Sequence, residues 1–280
     1  MLSYRHGFHA GNFADVFKHA MLCLMVKSLL KKDKPFVYLD THAGAGLYDL
    51  EGPLARKNRE HVDGIARIWT AAEAPSALEP YLEAVRAYNP GGRLQTYPGS
   101  PGLVRHFLRP DDRMELSELH SSDGPRLRDA LPPHRRLHIH QADGYQSLRA
   151  LLPPKERRGL ILCDPAYELK TERKKVVAAI TDAWQRWPTG IYAIWHPIVD
   201  RAQADWFQRE FKRSGIKSIW TADLRIYGED RSDRLNGSGM LIINPPWQLD
   251  AQMETLGPWL AETLAQEGNG SYQQAWLVGE

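Results

Sequence analysis

Cysteine is scarce in this chain of 280 residues, and long apolar runs are missing from it. The two cysteines, Cys23 and Cys163, sit in apolar stretches, so the sequence predicts no disulfide framework and favours a reducing compartment. The longest uninterrupted apolar run, residues 20–26, has seven residues, whereas a membrane-spanning helix needs about 20. The first six residues lack the apolar core of a signal peptide. These absences predict a cytoplasmic protein that makes no contact with a membrane.

An excess of one charge sign is absent as well. Lys and Arg number 36 against 34 Asp and Glu, which gives a formal net charge of +2. A chain this close to neutral is not a basic arm that coats a polyanion, so any contact with nucleic acid must come from local patches. The hydrophobic share of 42% and the charged share of 25% are those of a globular protein, which excludes wholesale disorder and a fibre.

Strand-like and helix-like segments alternate along most of the chain. Asn12 is a candidate cap for a first helix, in which apolar residues recur at helical spacing up to Leu24. Short apolar runs predict strands at 36–40, 114–118, 137–140, 159–164, 191–195 and 239–244. Such alternation indicates an α/β fold in which helices cover both faces of a largely parallel sheet.

One segment interrupts the alternation. Residues 49–95 carry a helical pattern of apolar residues, and a segment of about 45 residues is too long for an ordinary strand-to-helix connection. We therefore predict a small helical insertion over 49–95, with the main domain made of residues 1–48 and 96–280.

Acidic residues follow four of the predicted strands. These acids and their neighbours are Asp40, His42, Glu118, Asp143, Gly144 and Asp164. In a doubly wound sheet, ligands bind at the carboxyl ends of the strands, so these residues are expected to meet in one site. Acids without a Lys or Arg in the glycine loop suit a nucleoside with hydroxyls and an exocyclic amine, and they suit a polyphosphate poorly.

The loop 40–46, Asp-x-x-x-Gly-x-Gly, is a weak signal by itself. It lacks the lysine of a phosphate-binding loop and the third glycine of a dinucleotide fingerprint, and a plain tight turn is the alternative. Glu118 strengthens the signal, because an acid after the next strand can bind ribose hydroxyls. The combination favours S-adenosylmethionine over NAD as the cofactor.

The tetrapeptide Asp164-Pro165-Ala166-Tyr167 indicates the chemistry. The N6 amine of adenine is a poor nucleophile, and the Asp164 carboxylate and the Pro165 carbonyl can accept its hydrogen bonds and favour the transition state. Tyr167 is predicted to stack on the flipped base. An ordinary strand-to-turn Asp-Pro is the alternative. Together with the upstream loop, the tetrapeptide predicts methyl transfer to an adenine amine.

A second tetrapeptide, Asn244-Pro245-Pro246-Trp247, matches an Asn/Asp-Pro-Pro-aromatic pattern better by letter. It follows the last predicted strand, however, whereas the catalytic tetrapeptide is expected after the fourth parallel strand, which lies beside the first. Among the predicted strands, that position belongs to the one that ends at Asp164. We therefore interpret 244–247 as a structural turn.

Six stretches spread over essentially the whole chain carry a wider resemblance. They are Tyr4-Arg-His-Gly-Phe-His-Ala-Gly-Asn-Phe-Ala-Asp-Val-Phe-Lys-His19, Tyr38-Leu-Asp-Thr-His-Ala-Gly-Ala-Gly46, Tyr97-Pro-Gly-Ser-Pro101, Gly159-Leu-Ile-Leu-Cys-Asp164, Gly190-Ile-Tyr-Ala-Ile-Trp195 and the stretch 238–247. These stretches resemble the RlmJ family of bacterial 23S rRNA adenine-N6 methyltransferases. The resemblance implies a Rossmann-like class I methyltransferase with a helical insertion, in which residues 1–13 are an N-terminal motif segment. It also implies S-adenosylmethionine as the cofactor and 23S rRNA as the partner.

The resemblance further implies roles for single residues. Family cofactor contacts fall on His19, His42, Ser100, Glu118, Asp143, Gly144 and Asp164. The family's proton acceptor falls on Asp164, and a contact with substrate RNA falls on Tyr4. The sequence departs from the family pattern at Ala166, where a second proline is usual. This departure affects the stiffness of the catalytic loop and leaves the two hydrogen-bond acceptors in place.

Other polar residues near these motifs give weaker signals. His6 and His9 lack the further ligands of a zinc site, so no metal is expected, and they are predicted either to line the site with Tyr4 or to cap its entrance. Lys18 is either a contact for an RNA phosphate or a solvated helix residue. Residues 157–158 and 173–175 flank the catalytic tetrapeptide, and they either hold backbone phosphates at its rim or are solvated.

Two other functions stay open. The chemistry of the tetrapeptide does not distinguish RNA from DNA, so a DNA adenine-N6 methyltransferase is one alternative. A catalytically silent protein that binds cofactor or RNA is the other, with Ala166 as its only support. We predict a monomeric enzyme that acts on 23S rRNA, either naked or in an early assembly intermediate.

Overall fold

The computed structural model of the protein describes residues 4–228 and 234–279. Its strands are β1 (Val37–Asp40), β2 (Leu47–Asp49), β3 (Thr96–Pro98), β4 (Arg113–Ser117), β5 (Leu137–His140), β6 (Gly159–Cys163), β7 (Ile191–Ile198), β8 (Ile219–Arg225), β9 (Gly237–Ile243) and β10 (Ser271–Val278). Its α-helices are α1 (Phe13–Leu30), α2 (Pro53–Asn58), α3 (Ile65–Trp69), α4 (Glu79–Ala87), α5 (Ser100–Phe107), α6 (Asp123–Ala130), α7 (Gly144–Leu151), α8 (Glu172–Arg186), α9 (Arg201–Arg213) and α10 (Leu249–Leu264). None of these helices is long and apolar enough to cross a membrane.

Eight of the described strands form one sheet, in the order β10-β8-β9-β7-β6-β1-β4-β5. Strands β5, β4, β1, β6 and β7 are parallel, and β9 runs antiparallel between β7 and β8. The chain passes from β1 to β4 and β5 on one side and then returns to β6 on the other, so the switch point lies between β1 and β6. This topology confirms the prediction of a Rossmann-like α/β fold with a largely parallel sheet.

Helices cover both faces of the sheet, as predicted. Helix α1 starts after Asn12, whose side chain caps it by accepting a hydrogen bond from Asp15 N (2.9 Å). The helix is buried on almost every side, because α4, α5 and α10 pack around it. A helix that is apolar all round is normally a core helix. The few polar residues of α1, among them Lys18 and His19, are therefore buried with it.

The segment predicted as an insertion lies between two paired strands. Strands β2 and β3 pair antiparallel, with Leu47 opposite Pro98, and helices α2, α3 and α4 lie between them. Apolar residues of these helices, such as Ile65 and Tyr81, share one core cluster with α1. These helices thus extend the layer formed by α1, and the core continues from one into the other without a break. The division of the chain into a main domain and a subdomain over 49–95 stays a prediction.

Four elements have no counterpart in the sequence-based prediction, namely the short strands β2 and β3, helix α7 and strand β10. Helix α7 follows β5 almost directly, and β10 extends the sheet beside β8. Strand β10 alternates exposed and half-buried side chains, so its apolar pattern is weak. Helix α7 bears on function, because its amino end lies at the carboxyl edge of the sheet.

Candidate active site

A cavity of about 890 Å³ opens at the carboxyl ends of the parallel strands. All eleven residues predicted to be catalytic, to bind the cofactor or to contact RNA within the site itself line it, whereas most of the flanking basic residues do not. The eleven are Tyr4, Lys18, His19, His42, Ser100, Glu118, Asp143, Gly144, Asp164, Pro165 and Tyr167. Their roles stay predictions, but their gathering in one cavity agrees with the expectation that ligands bind where the strands end.

The glycine loop and Glu118 form one wall of the cavity. Gly44 and Gly46 adopt left-handed backbone angles (φ +63° and +76°), which favour glycine. Gly44 N donates to one carboxylate oxygen of Glu118 (2.7 Å), and His120 N donates to the other (2.6 Å). Burial raises the pKa of the Glu118 carboxyl, although the two amides act in the opposite direction. The backbone thus orients Glu118, and the remaining lone pairs of its oxygens are available to a ligand.

Asp40 lies at the start of this loop and organises it. Its buried carboxylate accepts hydrogen bonds from Tyr38 Oη (2.7 Å) and Ser100 Oγ (2.6 Å). Burial raises the pKa of Asp40 to about 6, against the effect of these donors. Because the Ser100 hydroxyl hydrogen points to Asp40, only the lone pairs of the Ser100 oxygen remain for the predicted cofactor contact.

The amino end of α7 forms the next wall. Asp143 caps the helix by accepting a hydrogen bond from Tyr145 N (2.8 Å). Gly144 packs against the end of β1 so closely that a Cβ atom there would lie 2.0 Å from Thr41 O. The His42 ring packs edge-on against the Tyr145 ring (5.3 Å), and burial lowers the pKa of His42. His42 therefore presents a neutral imidazole at neutral pH.

His19 lies on α1 and is almost fully buried. Its Nδ1 atom is 2.8 Å from Tyr97 Oη, which in turn lies 3.1 Å from Tyr81 Oη. Burial holds the pKa of His19 well below its usual range. His19 is thus a neutral polar group whose orientation is fixed by two tyrosines.

Asp164 follows β6 and forms an ion pair with Lys18 of α1. The Lys18 ammonium also lies 3.0 Å from Asp15 Oδ1 and 5.5 Å from the centroid of the Trp195 ring. Burial lowers the pKa of Lys18, but the two carboxylates outweigh burial and raise this pKa above its ordinary value. The prediction of a solvated Lys18 is wrong, since the residue is 3% exposed. The predicted phosphate contact of Lys18 gains no support, because Asp15 and Asp164 already neutralise the ammonium.

The ion pair continues into a chain of polar side chains that the sequence analysis did not identify. Asp15 Oδ2 lies 2.8 Å from His6 Nε2, and His6 Nδ1 lies 2.9 Å from Tyr4 Oη. Burial raises the pKa of Asp15, but His6 and Lys18 outweigh it and hold the pKa well below its usual range. The spacing of Asp15 and Lys18, three residues apart on a helix, is the one sequence signal for this pair.

Two histidines of the N-terminal segment line the cavity, as predicted. His6 contacts Asp15, and His9 Nδ1 lies 2.8 Å from Glu60 Oε1. Within residues 4–228 and 234–279, no group of three or more His, Cys, Asp or Glu side chains is arranged to hold a metal ion.

Tyr167 is anchored at several points. Its backbone is left-handed (φ +52°), and its hydroxyl donates to Trp195 O (2.6 Å). Its ring packs edge-on against the Trp195 ring (5.7 Å), and the Arg173 guanidinium lies 5.3 Å from the ring centroid. Stacking of Tyr167 on a base stays a prediction, and Arg173 is directed onto this ring. Lys175, from the same basic run, lines the cavity.

The second tetrapeptide lies on the side of the sheet where the parallel strands begin, which we call the amino edge, opposite the cavity at their carboxyl ends. Because β9 runs antiparallel to β7, its last residue, Ile243, pairs with Tyr192 near the start of β7. Asn244 Nδ2 donates to Pro188 O and Gly190 O, at 2.7 Å each. The interpretation of residues 244–247 as a structural turn is confirmed.

The arginines before β6 lie at that same distant edge. Arg158 donates to Leu29 O (2.8 Å) and to Lys34 O. The prediction that Arg157 and Arg158 sit at the rim of the catalytic loop is wrong, because they precede β6 and Asp164 follows it. Nearness along the sequence is not nearness in space when a buried strand separates two segments.

A family model described as Ribosomal RNA large subunit methyltransferase D, RlmJ matches residues 33–278. The chain belongs to this family. Two curated relatives, from Escherichia coli strain K12 and Haemophilus influenzae strain Rd, are named Ribosomal RNA large subunit methyltransferase J. They are 46% and 42% identical to this chain, and each alignment covers 100% of both proteins. The predicted resemblance is confirmed.

A solved structure supports the family fold. A protein from Legionella pneumophila strain Philadelphia 1 is 35% identical, with a TM-score of 0.88 over 96% of this chain and 98% of that one. The family model begins at residue 33, whereas the alignments with the two full-length relatives also include the α1 segment that carries Lys18.

Proposed function

We propose that this protein transfers a methyl group from S-adenosylmethionine to the N6 amine of an adenine in 23S rRNA. One observation carries the proposal. Asp164 and Pro165, after β6, line the same cavity as the glycine loop after β1 and Glu118 after β4. The names of the full-length relatives specify ribosomal RNA of the large subunit.

The chemistry of the lining fits S-adenosylmethionine, which supplies an activated methyl group when bound. We infer that Glu118, whose two oxygens are oriented by backbone amides, accepts the ribose hydroxyls. The surrounding carboxylates favour a sulfonium cation, and the described part of the glycine loop has no Lys or Arg that would favour a polyphosphate. The residues assigned to this contact are His19, His42, Ser100, Glu118, Asp143, Gly144 and Asp164.

Two acceptors are assigned to the target amine. The Asp164 carboxylate and the Pro165 carbonyl accept hydrogen bonds from N6, and these bonds strengthen as positive charge develops on the nitrogen. After the methyl group has joined N6, the amine must lose one proton, and Asp164 is the acceptor assigned to it. A peptide carbonyl and a carboxylate that converge on one amine also orient it for an in-line attack.

We assign Lys18 to the positioning of Asp164 and not to an RNA phosphate. The ammonium is held between Asp15 and Asp164 and is almost fully buried, so it fixes one oxygen of the catalytic carboxylate. Lys18 also compensates the negative charge of the Asp164 carboxylate inside the cavity.

The substrate RNA must present its adenine out of the stack. This requirement favours a hairpin loop or a bulge, and Tyr4 is the assigned RNA contact. We infer that the protein acts in the cytoplasm as a monomer, on naked 23S rRNA or an early assembly intermediate.

The test compares substrates and one variant. Purified protein is incubated with radiolabelled S-adenosylmethionine and with either 23S rRNA stripped of protein, from a strain lacking this gene, or genomic DNA. We expect N6-methyladenine in the rRNA alone, and a rate about 10²–10⁴-fold lower for Asp164→Ala. Label in DNA alone would support the DNA alternative. Binding of S-adenosylmethionine without any methyl transfer would support the alternative of a catalytically silent binding protein.

A further inference from the structure

The charge of the cavity raises the question of where the RNA phosphates go. Among the described lining residues, nine side chains are carboxylic acids and three are Lys or Arg. Such an interior favours a neutral base and a sulfonium cation, and it repels a phosphodiester. An RNA that inserts one adenine must therefore have its backbone held outside, by basic side chains near the mouth.

A compact group of basic side chains meets this need. Arg56 and Lys57 of α2, with Arg59 directly after the helix, are all exposed, and we call these three residues the basic strip. Within the described chain, no acid forms an ion pair with any of the three, and Lys57 instead lies 5.3 Å from the Phe8 ring centroid.

Other arginines of the insertion differ in this respect. Arg67 pairs with Asp63 (2.6 Å), Arg86 pairs with Glu79 (2.7 Å), and Arg93 pairs with Glu51. Among the described residues 49–95, the Lys and Arg side chains without an ion pair are thus those of the basic strip, where their positive charge is available to an external anion.

The basic strip adjoins the wall of the cavity. Glu60, the residue after Arg59, lines the cavity and accepts a hydrogen bond from Asn12 Nδ2 (3.0 Å). Glu60 also contacts His9, which lines the cavity too. A phosphate bound at the strip would therefore lie beside the mouth, outside the acidic interior.

We propose that the basic strip binds the phosphate backbone of the rRNA next to the target adenine. The proposal rests on the proposed function and adds an RNA-docking surface on the helical insertion. Guanidinium groups bind phosphate oxygens with paired hydrogen bonds, and such contacts set the position of the nucleic acid without reading its sequence. The strip would thus fix the distance between the backbone and the base that enters the cavity.

The test removes two charges from the strip and, as a matched control, two charges from elsewhere on the insertion. The variants are Arg56→Gln/Arg59→Gln and Arg86→Gln/Arg93→Gln, and methyl transfer to a 23S rRNA fragment is measured against RNA and salt concentration. For the strip variant we expect KM for RNA to rise about tenfold with kcat nearly unchanged. The slope of log affinity against log salt is expected to fall in magnitude by about 1.5. The control is expected to match wild type, and Arg56→Lys/Arg59→Lys is expected to restore most of the salt slope.

Different results separate the two proposals. A wild-type protein that does not methylate rRNA would contradict the proposed function itself. An active wild type with a strip variant whose KM and salt slope are unchanged would overturn the basic strip as the docking surface. An equal loss in the control variant would overturn it too, because the effect would then be one of overall charge. Melting temperatures of all variants check that each is folded.

Discussion

The two edges of the sheet carry similar tetrapeptides that have different surroundings. At the carboxyl edge, Asp164 begins a turn that lines the cavity, and its carboxylate is paired with Lys18. At the amino edge, Asn244 begins a turn in which the side-chain amide donates both hydrogens to backbone carbonyls. The letters at the amino edge fit a catalytic pattern better, yet this turn lies away from the cavity and its Asn244 side chain holds two backbone carbonyls. Strand direction and hydrogen-bond use, more than the letters, distinguish the two turns.

Removal of the cation at the carboxyl edge is expected to have the largest effect. Lys18→Met keeps the volume but leaves Asp164 without its cation and leaves the buried Asp15 with His6 as its remaining ion-pair partner. We expect kcat to fall about 10²-fold, because Asp164 loses its orientation, and the free energy of unfolding to fall by about 3 kcal/mol. Methyl transfer under saturating substrate and urea unfolding measure the two quantities. A wild-type kcat in this variant would contradict the role of Lys18 in positioning Asp164.

The amino-edge turn is expected to affect stability alone. Asn244→Ala leaves two backbone carbonyls without a donor, which is expected to lower the free energy of unfolding by about 1–3 kcal/mol. Because residue 244 lies at the far edge of the sheet, kcat and KM are expected to equal those of wild type. Loss of activity in the folded variant would show that the two edges are coupled.

The buried Asp40 predicts that the stability of the protein depends on pH. Burial raises its folded-state pKa from 3.8 to about 6, so ionisation of Asp40 favours the unfolded chain. Its contribution to stability is complete below pH 4 and is lost as the pH rises through 6. Asp40→Asn is expected to remove about 2–3 kcal/mol of the pH dependence of the free energy of unfolding between pH 4 and 7. Urea unfolding at a series of pH values measures it, and an unchanged curve would contradict the assignment.

The smallest effect is expected from making the first tetrapeptide resemble the second. Ala166→Pro stiffens the loop but leaves the Asp164 carboxylate and the Pro165 carbonyl unchanged. We expect kcat to change by less than about threefold, which is the range that a change in backbone entropy of this size allows. Steady-state rates on rRNA measure it. A change of a hundredfold would mean that loop stiffness limits the reaction.

Periodicity and strand order predicted most of the site, because acids that follow parallel strands must meet at one edge. The partner of Lys18 was beyond such reasoning, since it lies 146 residues away and a single lysine on a helix indicates exposure. Strand β10 was missed because an edge strand keeps polar side chains in solvent. Arg157 and Arg158 are close to Asp164 in sequence but lie at the other end of β6, because a strand carries the chain across the whole sheet.

Modification mapping in cells tests the central assignment most directly. N6-methyladenine in 23S rRNA is mapped in a strain lacking this gene and in the same strain supplied with wild-type, Asp164→Ala or Asn244→Ala protein at equal abundance. We predict that one modified position disappears in the deletion strain and returns with wild type and with Asn244→Ala. It is predicted to stay absent with Asp164→Ala. Two results would contradict the assignment of the carboxyl-edge turn as the active site. One is that the modification returns with Asp164→Ala, and the other is that it is absent with Asn244→Ala and present with the other proteins.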